Sequence, residues 1–323
     1  MVYRPIIVIA GEPNSIFSEI FFKSLENKKF RSPIILIASK NLIELQMKKL
    51  KIKKKIRLIT LENLKKNYLD NEKINLFNVS YNQKKAFDKI SNKSNRYIKK
   101  SFDIALKILN QKITNKLING PISKKFFLKK KYLGITEYLA YKTRTKNYAM
   151  LIYNKNLSVC PLTTHLPLKK VSRQINKNII KKKIMLIDIF YKKILKLKPK
   201  MAITGLNPHC ESVDNFNEDE KIIKPAIKSL NKLNYKISGP FSADTIFLKN
   251  NRKKYNVIIG MYHDQVLTPL KTLVEYDAIN ITLGLPFIRV SPDHGPNEKM
   301  VGKNISNPLS LKKAILFLDK YID

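Results

Sequence analysis

MAITGLNPH, residues Met201 to His209, is a short apolar run that breaks directly into a polar turn punctuated by Gly and Pro. The same design recurs in IAGEP (Ile9 to Pro13), INGPIS (Ile118 to Ser123) and IIGMYHDQ (Ile258 to Gln265). Working outward, β-branched runs predict strands over 6–10, 34–38, 56–59, 117–118, 149–153, 201–203 and 257–261. Lys-rich amphipathic stretches predict helices over 18–27, 41–49, 95–110, 135–143, 175–197, 218–233 and 309–321. Residues 277–290, DAINITLGLPFIRV, contain no lysine and read as strand, turn and strand, while the Asn/Lys-rich stretch 69–96 reads as a loop with short elements. Strands alternating with helices indicate βαβ units and an α/β sandwich. In open α/β sheets ligands bind beyond the carboxyl ends of the strands. Several polar strand ends therefore predict one convergent cleft.

The chain has 323 residues, enough for one large domain or two ordinary ones. It is 44% hydrophobic and 27% charged, a globular balance. No apolar run approaches the roughly 18 residues of a membrane span. The N-terminal apolar run is too short for a signal segment, so a cytoplasmic protein is expected. Two cysteines, Cys160 and Cys210, form neither a disulfide framework nor a C-x-x-C site. Cys210 reads as a small filler beside His209. The net charge of +39 suggests nucleic acid, but the excess is carried by 55 Lys against 8 Arg, spread over helix-like segments. Base and phosphate readers favour Arg and interleaved aromatics. A solvated basic face that attracts small anions fits better, and a nucleic-acid-binding protein is the rival class.

Four histidines, His165, His209, His263 and His294, all stand in polar turn peptides. Three of them, His165, His209 and His263, follow strand-like runs. They could meet as an open three-histidine site for a divalent ion, or be unrelated surface groups. Asp244 in GPFSADT and Asp264 in YHDQ could orient an imidazole or act as bases, or simply cap helices. Arg289 lies in the Lys-free segment, where a guanidinium needs an anion, either a ligand or an acidic side chain. Thr136 and Glu137 in GITEYLA open a helix, a place for a phosphate or for ordinary capping. GEPNS after the first strand is neither G-x-G-x-x-G nor a Walker loop, which leaves a standard dinucleotide site unsupported.

Taken in order, GEPNSIFSEI, NGPISK, GITEYLA, TTHLPL, GLNPHCE, GPFSADTIF, MYHDQVLTPLK and INITLGLPFIRVSPDHG resemble the 4-hydroxythreonine-4-phosphate dehydrogenase family of pyridoxine biosynthesis over nearly the whole chain. The resemblance implies an isocitrate/isopropylmalate dehydrogenase-like fold, with two α/β/α subdomains flanking a cleft, drawn at 1–125 plus 300–323 and at 126–299. It implies a homodimer with a shared active site that oxidises 4-phosphooxy-L-threonine with NAD or NADP. The product decarboxylates to 3-amino-2-oxopropyl phosphate. The metal, Zn, Co, Mn or Mg, would be held by His165, His209 and His263. Substrate contacts would be Thr136, Lys271, Asn280 and Arg289, with Asp244, Lys271 and Asp264 as catalytic groups. Asp293, His294 and Gly295 would belong to the cofactor segment.

Three motifs depart from the family. GHTEYLA is GITEYLA here, so Ile135 takes the place of a histidine that contacts substrate. The loop GDPAGIGPE has become GEPNSIFSE, and DHGTA has become DHGPN. The first change leaves a related branch as the alternative, acting on threonate- or erythronate-type phosphates or on dihydrodiols.

Overall fold

The structure is a computed structural model that describes residues 3–26, 29–62, 64, 69–128, 131–292 and 295–320. In chain order the elements begin β1 (Ile6–Ile9), α1 (Phe17–Leu25), β2 (Ile34–Ala38), α2 (Lys40–Lys49), β3 (Ile56–Ile59), β4 (Ile74–Asn78), α3 (Asn95–Asn110), β5 (Lys116–Asn119) and α4 (Ile135–Lys142). Next come β6 (Ala149–Tyr153), β7 (Ser158–Pro161), α5 (Lys177–Phe190), β8 (Met201–Thr204), α6 (Lys224–Lys232) and β9 (Ile237–Phe241). The last are α7 (Ala243–Ile246), α8 (Lys249–Arg252), β10 (Val257–Gly260), α9 (His263–Val274), β11 (Ile279–Leu283), β12 (Ile288–Pro292) and α10 (Leu309–Lys320). The fold is α/β, as the alternating pattern predicts. The chain divides into two compact units, Met1–Lys142 with Pro286–Asp323, and Thr143–Leu285. No helix among the described residues is long and apolar enough to cross a membrane.

The first unit holds strands in the order β3-β4-β2-β1-β5-β12, all parallel. β1 and β2 are buried throughout, which is why they read as unbroken Ile/Val/Leu runs rather than alternating ones. β4 is one of the short elements within the loop-like stretch 69–96, one that no apolar run singles out. Its apolar residues are interrupted by Asn75, which is buried and donates to the carbonyls of Ile34 (3.1 Å) and Asp70 (2.7 Å). A satisfied buried amide makes a core strand look like a polar loop.

The loop after β1 is shaped by Gly11, at φ +78°, where a Cβ would stand 2.3 Å from the Pro121 carbonyl oxygen. It delivers Glu12 into the interior, where the carboxylate accepts from Ser94 Oγ (3.0 Å) and the Asn14 amide (3.3 Å). Burial raises the Glu12 pKa above its ordinary value, more than these bonds lower it. Between the ordinary and the raised pKa the native state keeps a proton that the unfolded chain has released. Stability therefore falls as pH rises through that window. Glu12→Gln is expected to melt above the wild type on the alkaline side of the window and level with it on the acid side. Thermal melts over a pH series check this, and an advantage that grows toward acid would refute it.

The second unit holds β11-β6-β7-β10-β8-β9. β7, β10, β8 and β9 are parallel, and β6 runs antiparallel to both its neighbours, β7 and β11. Five elements of this unit escape the sequence patterns, two of them the single-turn α7 and α8. β7 is only four residues, SVCP. β9 contains Gly239 and Pro240, tolerated because it is an edge strand. α9 carries Pro269 in its interior, yet Val266, Leu267 and Leu270 lock it onto a core with Met150, Ile152, Val159 and Ile258. Burial of that apolar face outweighs the helix-breaking tendency of the proline. The helix expected over 218–233 starts as a π-helical turn, Asp219–Ile223, before α6.

Candidate active site

Because β7, β10 and β8 are adjacent and parallel, their carboxyl ends share one edge of the second unit's sheet. Each is followed closely by a histidine: His165 beyond β7, His263 at the first position of α9 beyond β10, and His209 beyond β8. The rings of His165 and His263 have centroids 6.0 Å apart, tilted by 33°. His263 Nδ1 lies 2.7 Å from Asp264 Oδ1. With that carboxylate accepting from Nδ1–H, the lone pair of the neutral ring sits on Nε2, where a metal can use it. Two imidazoles that share an ion at about 2.1 Å per bond have ring centres roughly 5–6 Å apart. The pair fits a divalent cation in chemistry and spacing. Among the described residues no group of three His, Cys, Asp or Glu is placed to hold an ion.

Backbone geometry marks the same turns. His165 (φ 54°), His209 (φ 54°) and Cys210 (φ 63°) are left-handed. Non-glycine residues there cost about 1–3 kcal/mol each, and persist where surrounding contacts enforce them. The turn leading to His209 is held by Asp219, a fully buried carboxylate. It accepts from the amides of Leu206 (2.8 Å) and Asn207 (3.1 Å) and from Asn207 Nδ2 (3.0 Å). Burial, and secondarily the Asp219 charge, raises the Cys210 thiol above its usual pKa, which keeps it a thiol, in keeping with the filler reading.

Asp244 stands exposed in α7, just after β9, and Lys271 is exposed in the last turn of α9. Asn280 lies on β11, with its Oδ1 buried and without a hydrogen-bond partner among the described residues. A buried acceptor left open is what a ligand's donor would fill.

In the first unit, Arg289 on β12 is 1% exposed. Its Nε donates to Asn119 Oδ1 at 2.7 Å, and Nη1 donates to Thr136 Oγ1 at 3.4 Å. Burial lowers its pKa to about 10, opposed by the charge of Glu137, so the guanidinium stays cationic at neutral pH. The structure thus brings Arg289 and Thr136 together. It also adds Asn119, which sequence reasoning passes over. The signal was a polar residue ending the buried strand of INGPIS. Of the expected cofactor segment, Asp293 and His294 lie outside the described residues, and Gly295 has open space where a Cβ would stand.

Parallel strands with their polar chemistry gathered at the carboxyl ends, three histidines at one such edge and a buried guanidinium define an enzyme of the α/β class. Comparison with known proteins narrows this. The sequence model described as "Pyridoxal phosphate biosynthetic protein PdxA" matches residues 29–318. The chain is 38% identical over 314 residues to the 4-hydroxythreonine-4-phosphate dehydrogenase of Sulfurihydrogenibium sp., covering 95% of each. It is 36% identical over 185 residues to the D-threonate 4-phosphate dehydrogenase of Pectobacterium atrosepticum, covering 57% of each. The crystal structure of 4-hydroxythreonine-4-phosphate dehydrogenase from Klebsiella pneumoniae superposes with a TM-score of 0.84 at 26% identity, covering 98% of both chains. The chain belongs to the PdxA family of 4-hydroxythreonine-4-phosphate dehydrogenases and is an oxidoreductase.

Proposed function

We propose that the protein oxidises 4-phosphooxy-L-threonine with NAD or NADP and a divalent ion, and that the product decarboxylates to 3-amino-2-oxopropyl phosphate for pyridoxal phosphate synthesis. The observation that carries this reading, beside family membership, is the His165–His263 pair with Asp264 fixing the His263 tautomer. His165 and His263 would hold the ion. His209 would be the third ligand. A bound ion would supply Lewis-acid polarisation of the substrate alcohol, and a bound nicotinamide would supply the hydride acceptor.

The chain's own residues do the rest. Arg289 is a buried, preorganised cation with Thr136 Oγ1 beside it, suited to a phosphate or carboxylate. Asn280 Oδ1 offers an acceptor to a substrate N–H or O–H. Lys271 and Asp244 are the candidates for proton transfer to and from the reacting carbons and oxygen.

The half-buried Ile135 at the head of α4, beside Thr136, offers no polar partner there and favours a second reading in which the substrate is a different acid phosphate, as in a threonate-type phosphate that carries a hydroxyl in place of the amine. The test is reduced-nicotinamide formation with added Zn, Co, Mn or Mg on 4-phosphooxy-threonine, threonate phosphate and erythronate phosphate in parallel. Turnover of the first supports the main reading. Turnover of only the acid phosphates moves the protein to the second, and none on any substrate with any metal refutes both.

A further inference from the structure

Gln265 holds two of the histidine turns together, and the consequence lies beyond the ligands themselves. Its Oε1 accepts from the Met261 amide at 2.7 Å and from Thr204 Oγ1 at 2.8 Å, and its Nε2 donates to the Gly205 carbonyl at 2.8 Å. Met261 belongs to the turn that leads into His263. Thr204 ends β8, and Gly205 begins the turn that leads to His209. One amide therefore ties two strand ends that are neighbours in the sheet but about sixty residues apart in the chain. The other face of the Met261 peptide is taken by the third turn. Its carbonyl accepts from Thr163 Oγ1 at 2.8 Å and from the Thr163 amide at 3.2 Å, two residues before His165.

The pattern needs an amide in particular. A single side chain must offer an acceptor to an N–H and an O–H while donating to a C=O, which Gln does and Glu, ionised, cannot. Space is equally fixed: a Cβ at Gly260 would stand 3.1 Å from Gln265 Oε1, and one at Gly205 would stand 2.8 Å from Asp219 Oδ1. We infer that Gln265 is a positioning residue that sets the relative placement of the His263 and His209 turns, and so the metal affinity of the site. The inference rests on the three-histidine metal reading above. Outer groups that orient metal ligands commonly change affinity by about 10–100-fold when removed.

The test is cobalt(II) and zinc binding by the full-length protein, for wild type, His209→Asn, Gln265→Met and Gln265→Glu. Affinity is read by competition with a chromophoric chelator, and ligand geometry by the cobalt absorption spectrum. Circular dichroism and melting temperature report the fold. The Met variant removes all three bonds at similar volume. The Glu variant keeps both acceptor bonds and sets a carboxylate against the Gly205 carbonyl, so it repels only the start of the His209 turn and decides the question if the Met variant fails to fold. Expected are folded proteins with affinity lower by roughly tenfold or more and an altered cobalt spectrum. Tight wild-type binding with affinity and spectrum unchanged in a folded Gln265 variant overturns the inference alone. No wild-type binding, or binding indifferent to His209→Asn, overturns the metal reading and the inference with it.

Discussion

Arg289→Met is expected to lower kcat/KM by about a thousandfold, mostly through KM, without a matching loss of stability. Removing one partner of a buried, hydrogen-bonded charge pair costs roughly 3–5 kcal/mol when the partner is an anion that stays behind, and every 1.4 kcal/mol is about tenfold. The substrate would be that anion. The folded protein without substrate is in a different position. Its guanidinium is fully buried, and burial, outweighing the opposing Glu137 charge, draws its pKa down to about 10, so the free enzyme carries an unfavourable desolvation that methionine relieves. Against this, Asn119 Oδ1 loses its 2.7 Å donor, at about 1–3 kcal/mol. The two effects oppose, so the melting temperature should move little. Arg289→Lys should fall between, because an ammonium keeps the charge but cannot reproduce the planar fork that serves Asn119 and Thr136 together. Steady-state kinetics with thermal melts decide it: activity within tenfold of wild type would remove Arg289 from substrate binding.

The second large effect is expected at His209. His209→Asn should abolish tight metal binding and lower kcat/KM at least about a hundredfold, the scale of losing several kcal/mol of metal-borne charge stabilisation. Asparagine is the informative replacement because it tolerates the left-handed backbone that position 209 adopts at φ 54°, where alanine would add strain. His209 is exposed and the clamp from Asp219 is untouched, so the fold and melting temperature should be preserved. Metal content after gel filtration, set beside kinetics, reads the outcome. Full activity with full metal content would show that the site is built from other groups.

Much of this architecture is legible in local sequence. Continuous Ile/Val/Leu runs announce β1, β2, β6 and β10 because a strand buried on both faces has nothing polar to show. The polar turns after them announce the edge where chemistry collects. Legibility ends where tertiary contacts override composition: β4 hides behind the buried Asn75, β9 behind its Gly and Pro, and α9 behind Pro269.

The candidate site divides in the same way. His165, His209, His263 and Arg289 stand out in the sequence because imidazoles in turns and a lone guanidinium in an apolar segment demand partners. The partners themselves do not stand out. Asn119 meets Arg289 across 170 residues, and Gln265 meets Gly205 across 60. Periodicity and turn chemistry act over a few residues and so determined the α/β class and the reactive strand ends. Which ends become neighbours depends on strand order, and the order β7-β10-β8 differs from the order along the chain. Only the folded sheet, whose pairing is fixed by burial and hydrogen bonding between distant segments, decided that the rings of His165 and His263 would meet.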